Sequence, residues 1–216
     1  MMTIHPLWNF LDEHNEQEQL LLLCALSVLW LKPQEPLAKD CLARYKEREY
    51  SIESLREAAL QLFLLAGFQS SLEAAFMIQD VYGNGLPPHP EELIDLPPIS
   101  TFERGWALQS EVYRGNVEKL RVNLEHVSPE LSRWTVWIGY GLVMSRPGIP
   151  AYWRELLEVA VLSVLGFPRQ LFSHLKGALN LGATALQVEL SLKVAELVSS
   201  SDAVRPAWQM WRRIDK

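Results

Sequence analysis

The fold of this chain is decided by residues 154–184, whose sequence is RELLEVAVLSVLGFPRQLFSHLKGALNLGAT. The first part carries one apolar stripe at helical spacing: Leu156, Leu157, Ala160, Val161 and Val164. Gly166 and Pro168 interrupt this pattern and predict a turn. A second apolar stripe follows and stops near Gly182, and Thr184 is a suitable N-cap for a third helix. The stretch therefore predicts two antiparallel helices joined by a short turn.

Two residues with useful chemistry lie in this apolar context, Glu155 in the first helix and His174 in the second. Histidine titrates near neutral pH and can act as a general acid or base, and a nearby carboxylate fixes its tautomer and stabilises the imidazolium. The alternative is structural, with His174 as a hydrogen-bonded core residue and Glu155 as a first-turn acid favoured by the helix dipole. The antiparallel arrangement allows contact between them, and both interpretations stay open.

Helical patterns dominate the rest of the chain, while alternating strand patterns bounded by turn residues are almost missing. The spacing predicts helices over residues 13–31, 36–47, 51–65, 70–82, 102–113, 117–126, 129–144, 151–165, 169–181, 184–199 and 203–214. Pro129 directly after Ser128 has the arrangement that a helix start favours, and Gly67 is a stop signal. The sequence therefore predicts an all-α fold.

Residues 85–98, GLPPHPEELIDLPP, contain five prolines and divide the chain. Proline prevents both helix continuation and sheet pairing, so this segment is predicted to be a semi-rigid extended connector. We expect one helical copy over residues 1–84 (the first half), a connector over residues 85–100 and a second copy over residues 101–216 (the second half). The two copies are expected to pack as one unit.

The two halves show an internal repeat when they are aligned. Residues 24–29, CALSVL, align with residues 160–165, AVLSVL. In this register Gln19 takes the place of Glu155, and Ala38 takes the place of His174. We infer a degenerate first copy that packs against the second about a pseudo-twofold axis. Two unrelated amphipathic helices are the alternative explanation.

Charge and hydropathy exclude several classes of partner. The net charge is −6 and the pI is about 5.4, with basic residues scattered singly, so no nucleic-acid partner is expected. Residues 1–10 lack the basic flank and cleavage site of a signal peptide, and the longest apolar run, residues 20–31, is too short to span a bilayer. We expect a cytoplasmic protein with no membrane partner.

Cofactor and metal signatures are absent from the sequence. It contains no glycine-rich phosphate loop, no His/Cys/Asp cluster at metal spacing and no Gly-x-Ser-x-Gly elbow, so neither a cofactor nor a metal is predicted. Cys24 and Cys41 lie far apart in helical patterns, as expected for buried thiols in a reducing compartment. Trp208 and Trp211 are interpreted as core or subunit-interface aromatics.

Several short motifs of the second half together resemble a known family. They are SPELSRW at 128–134, Tyr140-Gly141, SRPG at 145–148, REL at 154–156, and His174 followed by GALN at 177–180. Over residues 104–197 the chain resembles the carboxymuconolactone decarboxylase family, which belongs with the alkylhydroperoxidase D-like proteins. The resemblance implies a helical fold and a homo-oligomer, most simply a dimer or trimer. It also implies a small-molecule carboxylate as substrate, with His174 and Glu155 as catalytic residues.

The chain departs from the peroxidase branch of that family. There a Cys-x-x-Cys pair precedes the histidine, and the matching positions here are Phe167 and Gln170. Thiol peroxidase activity is therefore not expected, because it needs a nucleophilic thiolate and a resolving partner.

Two arginines near the pair have alternative roles. Arg146 in SRPG can bind a substrate carboxylate in a bidentate manner. Alternatively, it is a loop arginine that pairs with a neighbouring acid or covers a helix end. Arg154 is spaced for an i,i+4 ion pair with Glu158.

Two functions follow from the sequence. The first is a cofactor-independent decarboxylase or related lyase that acts on a small carboxylated lactone or keto acid, with His174 as general acid or base. The second is a non-catalytic ligand-binding or assembly module of the same fold, favoured by the degenerate first copy and the missing cysteines. An alkylhydroperoxidase-type antioxidant enzyme is the least favoured. A pocket that His174 and Glu155 share with a basic residue would favour the enzyme.

Overall fold

A computed structural model of the chain describes residues 5–32, 36–83, 86–88 and 97–214. Within these residues the regular structure is helical and contains no strand, which confirms the all-α prediction. The helices are α1 Pro6–Glu13, α2 Glu18–Leu29, α3 Pro36–Glu47, α4 Ile52–Tyr82, α5 Pro98–Tyr113, α6 Val117–Val127, α7 Pro129–Trp134, α8 Ala151–Leu165, α9 Pro168–Asn180, α10 Ala185–Val198 and α11 Ser201–Ile214. A π-helix, Thr135–Met144, continues α7.

The predicted helix over residues 13–31 is wrong at its start. The chain instead forms α1 and then α2, because Pro6 occupies the first turn of α1 and the His5 side chain accepts a hydrogen bond from the Leu7 backbone N–H at 3.2 Å. The predicted helices over 51–65 and 70–82 correspond to the two parts of one long element, α4, and Gly67, the predicted stop signal, lies between them. That element is broken at Gly67, whose φ of 82° and ψ of 179° are not helical.

Helix α4 is long and apolar enough to cross a membrane by length and composition alone. This apolar stretch, which is interrupted at Gly67, is longer than the run over residues 20–31 that the sequence pattern indicated as the longest. The backbone break at Gly67 divides it into two segments that are each shorter than the ~20 residues a spanning helix needs. Ten of its 31 residues are buried, and 28% of its most apolar stretch is buried inside the protein. The length of α4 therefore does not establish a membrane span.

The main hydrophobic core is built from both halves of the chain. Helix α2 lies at its centre, with residues 20–30 all buried. It packs on α3, α8 and α10, while α8 packs on α4, α9 and α10. In the predicted repeat, α2 matches α8 and the start of α4 matches α10. The contact between α2 and α10 is then the counterpart of the contact between α8 and α4. The duplication and the domain boundaries remain predictions.

Two glycines allow α5 and the π-helix to cross closely. A Cβ at Gly105 would overlap the carbonyl oxygen of Val136, and one at Gly141 would overlap the carbonyl oxygen of Thr101. Backbone therefore meets backbone at this crossing, where no side chain fits between the helices. The crossing fixes the π-helix and, with it, the neighbouring Tyr140.

Two other predictions concern the connector between the halves and the tryptophans near the C-terminus. Most of the predicted connector lies outside the described residues, and Pro98 already belongs to the first turn of α5. Trp211 is 1% exposed and its Nε1 donates to Glu189 Oε1 at 3.1 Å. Trp211 is therefore a core aromatic of this chain, and it is wrong as a candidate for the subunit interface.

Candidate functional site

His174 is hydrogen-bonded through both ring nitrogens to glutamates of α8. Nδ1 lies 2.8 Å from Glu155 Oε2, and Nε2 lies 2.9 Å from Glu158 Oε2. The α8–α9 hairpin creates this arrangement, because Glu155 and Glu158 are three residues apart on one face of α8 and α9 returns alongside. These three residues are referred to below as the histidine–glutamate cluster.

The cluster is buried, and its charges lie within hydrogen-bond distance of one another. The Glu155 side chain is fully buried, that of Glu158 is 4% exposed and that of His174 is 15% exposed. Burial alone would lower the pKa of His174, but the two carboxylates outweigh it and raise that pKa well above its ordinary value. Burial also raises the pKa of Glu155, and the charge of His174 opposes that rise. The cluster therefore stores a proton near neutral pH, with the imidazole as its main holder.

A cleft of about 870 Å³ opens above the cluster. His174 and Glu158 line it, while the fully buried Glu155 lies behind His174. Polar groups from α9 add to the lining, namely Arg169, Gln170 and Ser173. The opposite wall is apolar and comes from α6, α7 and the π-helix: Leu120, Leu124, Val127, Leu131, Trp134 and Ile138. An apolar cleft with a few convergent polar groups is the usual form of a small-molecule site.

Tyr140 reaches the same cleft from the π-helix. Its ring is packed edge-on against Tyr113, with ring centroids 6.3 Å apart. Burial, helped by the charge of Glu155, raises the pKa of Tyr140 well above its ordinary value. Tyr140 is therefore a neutral phenol that can donate or accept a hydrogen bond in the cleft. π-Helical segments are rare, and they are frequently found at functional sites.

Gly177, one turn after His174, leaves room for the carboxylate of Glu155. A Cβ at this position would lie 2.5 Å from Glu155 Oε2 and 2.8 Å from Val112 Cγ1. Real Cβ atoms essentially never approach that closely, so any larger residue requires Glu155 and Val112, or α9 itself, to shift. The glycine in the GALN motif is therefore needed for the Glu155–His174 contact.

Arg146 binds a carboxylate, but the carboxylate belongs to the chain itself. Its Nε lies 2.9 Å from Glu57 Oε2, and its Nη2 lies 2.9 Å from Glu57 Oε1. Arg146 does not line the cleft of the histidine–glutamate cluster. The geometry thus favours the second sequence interpretation, pairing with an acid, although that acid lies in α4 of the first half.

The predicted Arg154–Glu158 ion pair is wrong. Arg154 is fully buried, and its Nη2 donates to Glu57 Oε2 at 2.9 Å and to the Arg146 and Pro147 carbonyl oxygens at 3.0 Å. A buried guanidinium needs several acceptors, and a single glutamate one turn along α8 cannot supply them. Glu158 faces His174 instead.

Gln61 of α4 also contacts the cluster. Its Nε2 donates to the Arg154 carbonyl oxygen at 2.8 Å and to Glu158 Oε1 at 3.3 Å. The first half of the chain thus supplies a hydrogen-bond donor to the site. No signal in the sequence connects Gln61 with a residue 97 positions later.

The two thiols are unsuited to peroxidase chemistry. Cys24 and Cys41 are both buried and unpaired. Burial raises the pKa of Cys24 above the range of ordinary thiols and raises that of Cys41 to about 12, so neither is a thiolate at neutral pH. Gln170, at one of the two positions that carry cysteine in the peroxidase branch, lines the cleft, and Phe167 is about half exposed.

A second cleft, of about 790 Å³, lies between α5, α6 and α7. Its buried cation, Arg121, is already bound to Gln109 and Glu118 and stacks on the Trp106 ring at 3.3 Å. This cleft has no histidine held by carboxylates. The histidine–glutamate cluster is therefore the better candidate for a site with chemistry.

Comparison with known proteins finds distant relatives of the chain. The chain is distantly similar to a decarboxylase. It is 27% identical over 116 residues to 4-carboxymuconolactone decarboxylase from Acinetobacter baylyi, an alignment that covers 53% of this chain and 87% of that protein. It is also 27% identical over 154 residues to Peroxisomal protein 2 from Schizosaccharomyces pombe, covering 70% of this chain and 71% of that protein. No family model matches the chain.

Glu158 and Tyr140 were missed as site residues in the sequence. The three-residue spacing of Glu155 and Glu158 on one helix was a usable signal, but Glu158 was assigned to Arg154. Tyr140 was noted only as part of a motif, since a π-helix has no distinct apolar period that would place the ring in the cleft.

Proposed function

We propose that the chain is a cofactor-independent decarboxylase, or a related lyase, that acts on a small carboxylated lactone or keto acid. The observation that carries the proposal is the histidine–glutamate cluster in the wall of a mainly apolar cleft. The distant similarity to 4-carboxymuconolactone decarboxylase supports the same reaction class. His174 is the general acid or base, and Glu155 orients it.

Arg169 takes the anchoring role that the sequence offered to Arg146. It is exposed at the start of α9 and lines the cleft. In the described part of the chain, no carboxylate lies within ion-pair distance of its guanidinium. An arginine with unused donors binds a carboxylate in a bidentate manner. A cation at this place also offsets the negative charge that two glutamates bring to the cluster.

The chemistry requires one bond to break and one proton to be delivered. The bond to the carboxylate carbon breaks, carbon dioxide leaves, and the electron pair remains on the adjacent carbon, delocalised into the neighbouring carbonyl as an enolate. His174 then supplies a proton to that carbon, and the imidazole regains a proton from solvent. The apolar wall favours the step because a carboxylate is poorly solvated there and the departing carbon dioxide is neutral.

Glu158 controls access to the reactive proton. It lines the cleft beside His174 and accepts from Nε2, so a substrate that approaches Nε2 must move this carboxylate aside. Glu155 accepts from Nδ1, on the other side of the ring, and keeps the imidazole oriented while Glu158 moves.

The proposal is tested by measuring carbon dioxide released from a panel of small carboxylated lactones and β-keto acids. The parent protein is expected to turn over at least one compound, and His174→Gln is expected to lose that activity. His126→Gln is the matched control, because His126 is exposed and lines only the second cleft. Carbon dioxide release that persists in His174→Gln would remove the histidine from the mechanism.

One observation favours a non-catalytic module as the second candidate. Both ring nitrogens of His174 already have partners, so the imidazole is satisfied without a ligand, and Glu155 Oε1 is the atom of the cluster that is buried without a partner. If the cluster is only structural, His174→Ala should cost about 1–3 kcal/mol of unfolding free energy through its stranded partners. A large loss of stability, with no turnover in the panel, would favour the module.

We also propose that the chain forms a homo-oligomer, a dimer or trimer. Phe68, Leu72 and Phe76 recur every fourth residue along α4 and are 64%, 51% and 60% exposed. Such an exposed apolar stripe is typical of an association surface. Light scattering at micromolar concentration is expected to show more than one chain per particle, and a monomer would contradict the proposal. A cytoplasmic location without nucleic-acid or membrane partners stays a prediction.

A further inference from the structure

Helix α4 belongs to the half of the chain that lacks a histidine–glutamate pair, yet it extends to the site. Glu57 and Gln61 lie one turn apart on this helix, and both are buried. Glu57 binds Arg146 and Arg154, while Gln61 binds Glu158. One face of α4 therefore contacts the loop before α8, the start of α8 and the cluster itself.

The orientation of the Gln61 amide is set by its neighbours. Arg154 donates only, and its Nη1 lies 3.5 Å from Gln61 Oε1, so the carbonyl of the amide faces the guanidinium. The Nε2 group then points at two acceptors, the Arg154 carbonyl oxygen at 2.8 Å and Glu158 Oε1 at 3.3 Å. The flipped amide would place its NH2 against the guanidinium and leave Glu158 without this donor. Gln61 is therefore held as a donor to Glu158.

The arginine that fixes Gln61 is itself fixed by Glu57. Arg154 would be a buried cation without a carboxylate partner if Glu57 were absent, because its remaining acceptors are carbonyl oxygens. The contacts thus run in order from Glu57 to Arg154, from Arg154 to Gln61, and from Gln61 to Glu158. Glu158 completes the series by accepting from His174 Nε2 at 2.9 Å.

We propose that Gln61 is a positioning residue of the site, which holds Glu158 Oε2 against His174 by occupying Glu158 Oε1. This inference rests on the proposed function, and it assigns to the first half of the chain a part in the chemistry of the second. When Gln61 is present, the imidazolium keeps two anionic acceptors. When Gln61 cannot donate, Glu158 turns toward the cleft and the imidazolium keeps only Glu155.

The proton affinity of His174 reports on this arrangement directly. The charged groups that act on it are Glu155 and Glu158 from α8. The neutral Tyr140 from the π-helix and Arg169 on its own helix line the same cleft. Only Glu158 among them contacts Gln61. A change at Gln61 therefore alters the pKa of His174 through Glu158.

The test is an NMR titration of the His174 imidazole in the parent and in Gln61→Met, with the resonance assigned from His174→Gln. Methionine keeps the length of the side chain and removes both amide groups. The pKa of His174 is expected to fall by about one pH unit, the size of one lost hydrogen bond to a charged group. Gln69→Met is the matched control, because Gln69 is exposed on the other side of the α4 break, and it should leave this pKa unchanged.

Each outcome decides the proposal. An unchanged or higher pKa of His174 in folded Gln61→Met overturns it, as does an equal fall in Gln69→Met. If Gln61→Met does not fold, Gln61→Asn replaces it, since asparagine keeps the amide but shortens its reach by one methylene. The same fall is expected in that variant. The titration needs no substrate, so it can succeed or fail whether or not the carbon dioxide assay finds a reaction.

Discussion

Two helical hairpins of the chain, α2–α3 and α8–α9, each bury a glutamate in the first turns of the first helix and neutralise its charge with different partners. Glu18 of α2 is 2% exposed and binds Arg44, Arg48 and the hydroxyl of Tyr50. Glu155 of α8 is fully buried and binds His174. Arginine stays charged in proteins at any ordinary pH, whereas histidine exchanges its proton near neutrality. The first hairpin therefore has a permanent ion cluster, and the second has one that can release a proton.

The positions that match the histidine–glutamate pair in the first hairpin serve packing. Gln19, in the place of Glu155, donates to the hydroxyl of Tyr45 at 2.9 Å. Ala38, in the place of His174, is fully buried in the core. In the predicted repeat, the first copy therefore has the packing of the hairpin and the second has the ionisable pair. The predictions below test this division of roles.

The largest expected effect is the loss of activity in the second hairpin. Glu155→Gln and His174→Gln should each lower kcat about a hundredfold or more, the usual contribution of general acid–base catalysis. The kcat of the double variant should be about as low as that of the less active single variant, because the effects of residues that act as one unit are not additive. The measurement is kcat on a substrate found in the carbon dioxide panel.

The first hairpin provides the matched control for this experiment. Gln19→Leu changes the residue that takes the place of Glu155, and it should leave kcat within a few-fold of the parent value. If the fold-losses in kcat of Glu155→Gln and His174→Gln multiply in the double variant, the two residues act independently. A large loss of kcat in Gln19→Leu would remove the contrast between the hairpins.

The second prediction concerns the space beside Glu155. Gly177→Ala places a methyl group 2.5 Å from Glu155 Oε2, so it should cost about 1–3 kcal/mol of unfolding free energy and also lower kcat. Urea unfolding with the activity assay measures both. Gly115→Ala is the control, since nothing lies within 4 Å of a Cβ at that position. Equal stability of Gly177→Ala and the parent would show that Glu155 moves without cost.

The sequence predicted much of the fold for a physical reason. Helical periodicity is local, and α3 and α8 begin and end where the apolar spacing and the flanking signals place them. The short turn at Gly166 and Pro168 then requires α8 and α9 to be neighbours, which brings Glu155 and His174 within 2.8 Å. Local patterns were therefore sufficient to predict both the fold class and the contact between Glu155 and His174.

The remaining contacts of the site are long-range, and the sequence does not contain them. Glu57 and Gln61 lie about 90 residues before the arginines that they bind, so Arg146 and Arg154 were given roles or partners near in sequence. The cleft is also invisible in the sequence, because its walls come from α4 to α9. Such contacts depend on how the helices pack, which periodicity alone leaves undetermined.

The third prediction concerns the ion cluster of the first hairpin. Glu18→Gln leaves Arg44 and Arg48 without their buried anion, and it should cost about 1–2 kcal/mol because both arginines are partly exposed to water. It should leave kcat and the pKa of His174 unchanged. Urea unfolding and the NMR titration measure the two effects. A shift in the pKa of His174 would show that the hairpins are coupled rather than separate in role.

The smallest expected effect is a difference in the pH dependence of stability. The folded-state pKa of His174 is raised above its ordinary value of 6.5, so the folded protein binds this proton more tightly than the unfolded chain does. The stabilisation is fully present below pH 6.5 and is lost as the pH rises through the folded pKa. The slope of the unfolding free energy in that window is at most about 1.4 kcal/mol per pH unit for one proton.

Urea unfolding between pH 6.5 and 9 measures this slope. The burial-raised pKa of Glu155 acts in the same direction, so the double variant Glu155→Gln/His174→Gln is the suitable reference, and it should lose most of the slope. Glu18→Gln should retain the slope, because its partners are arginines. If the parent and the double variant have the same slope, the proton is not held at His174, and the two hairpins differ in composition without differing in chemistry.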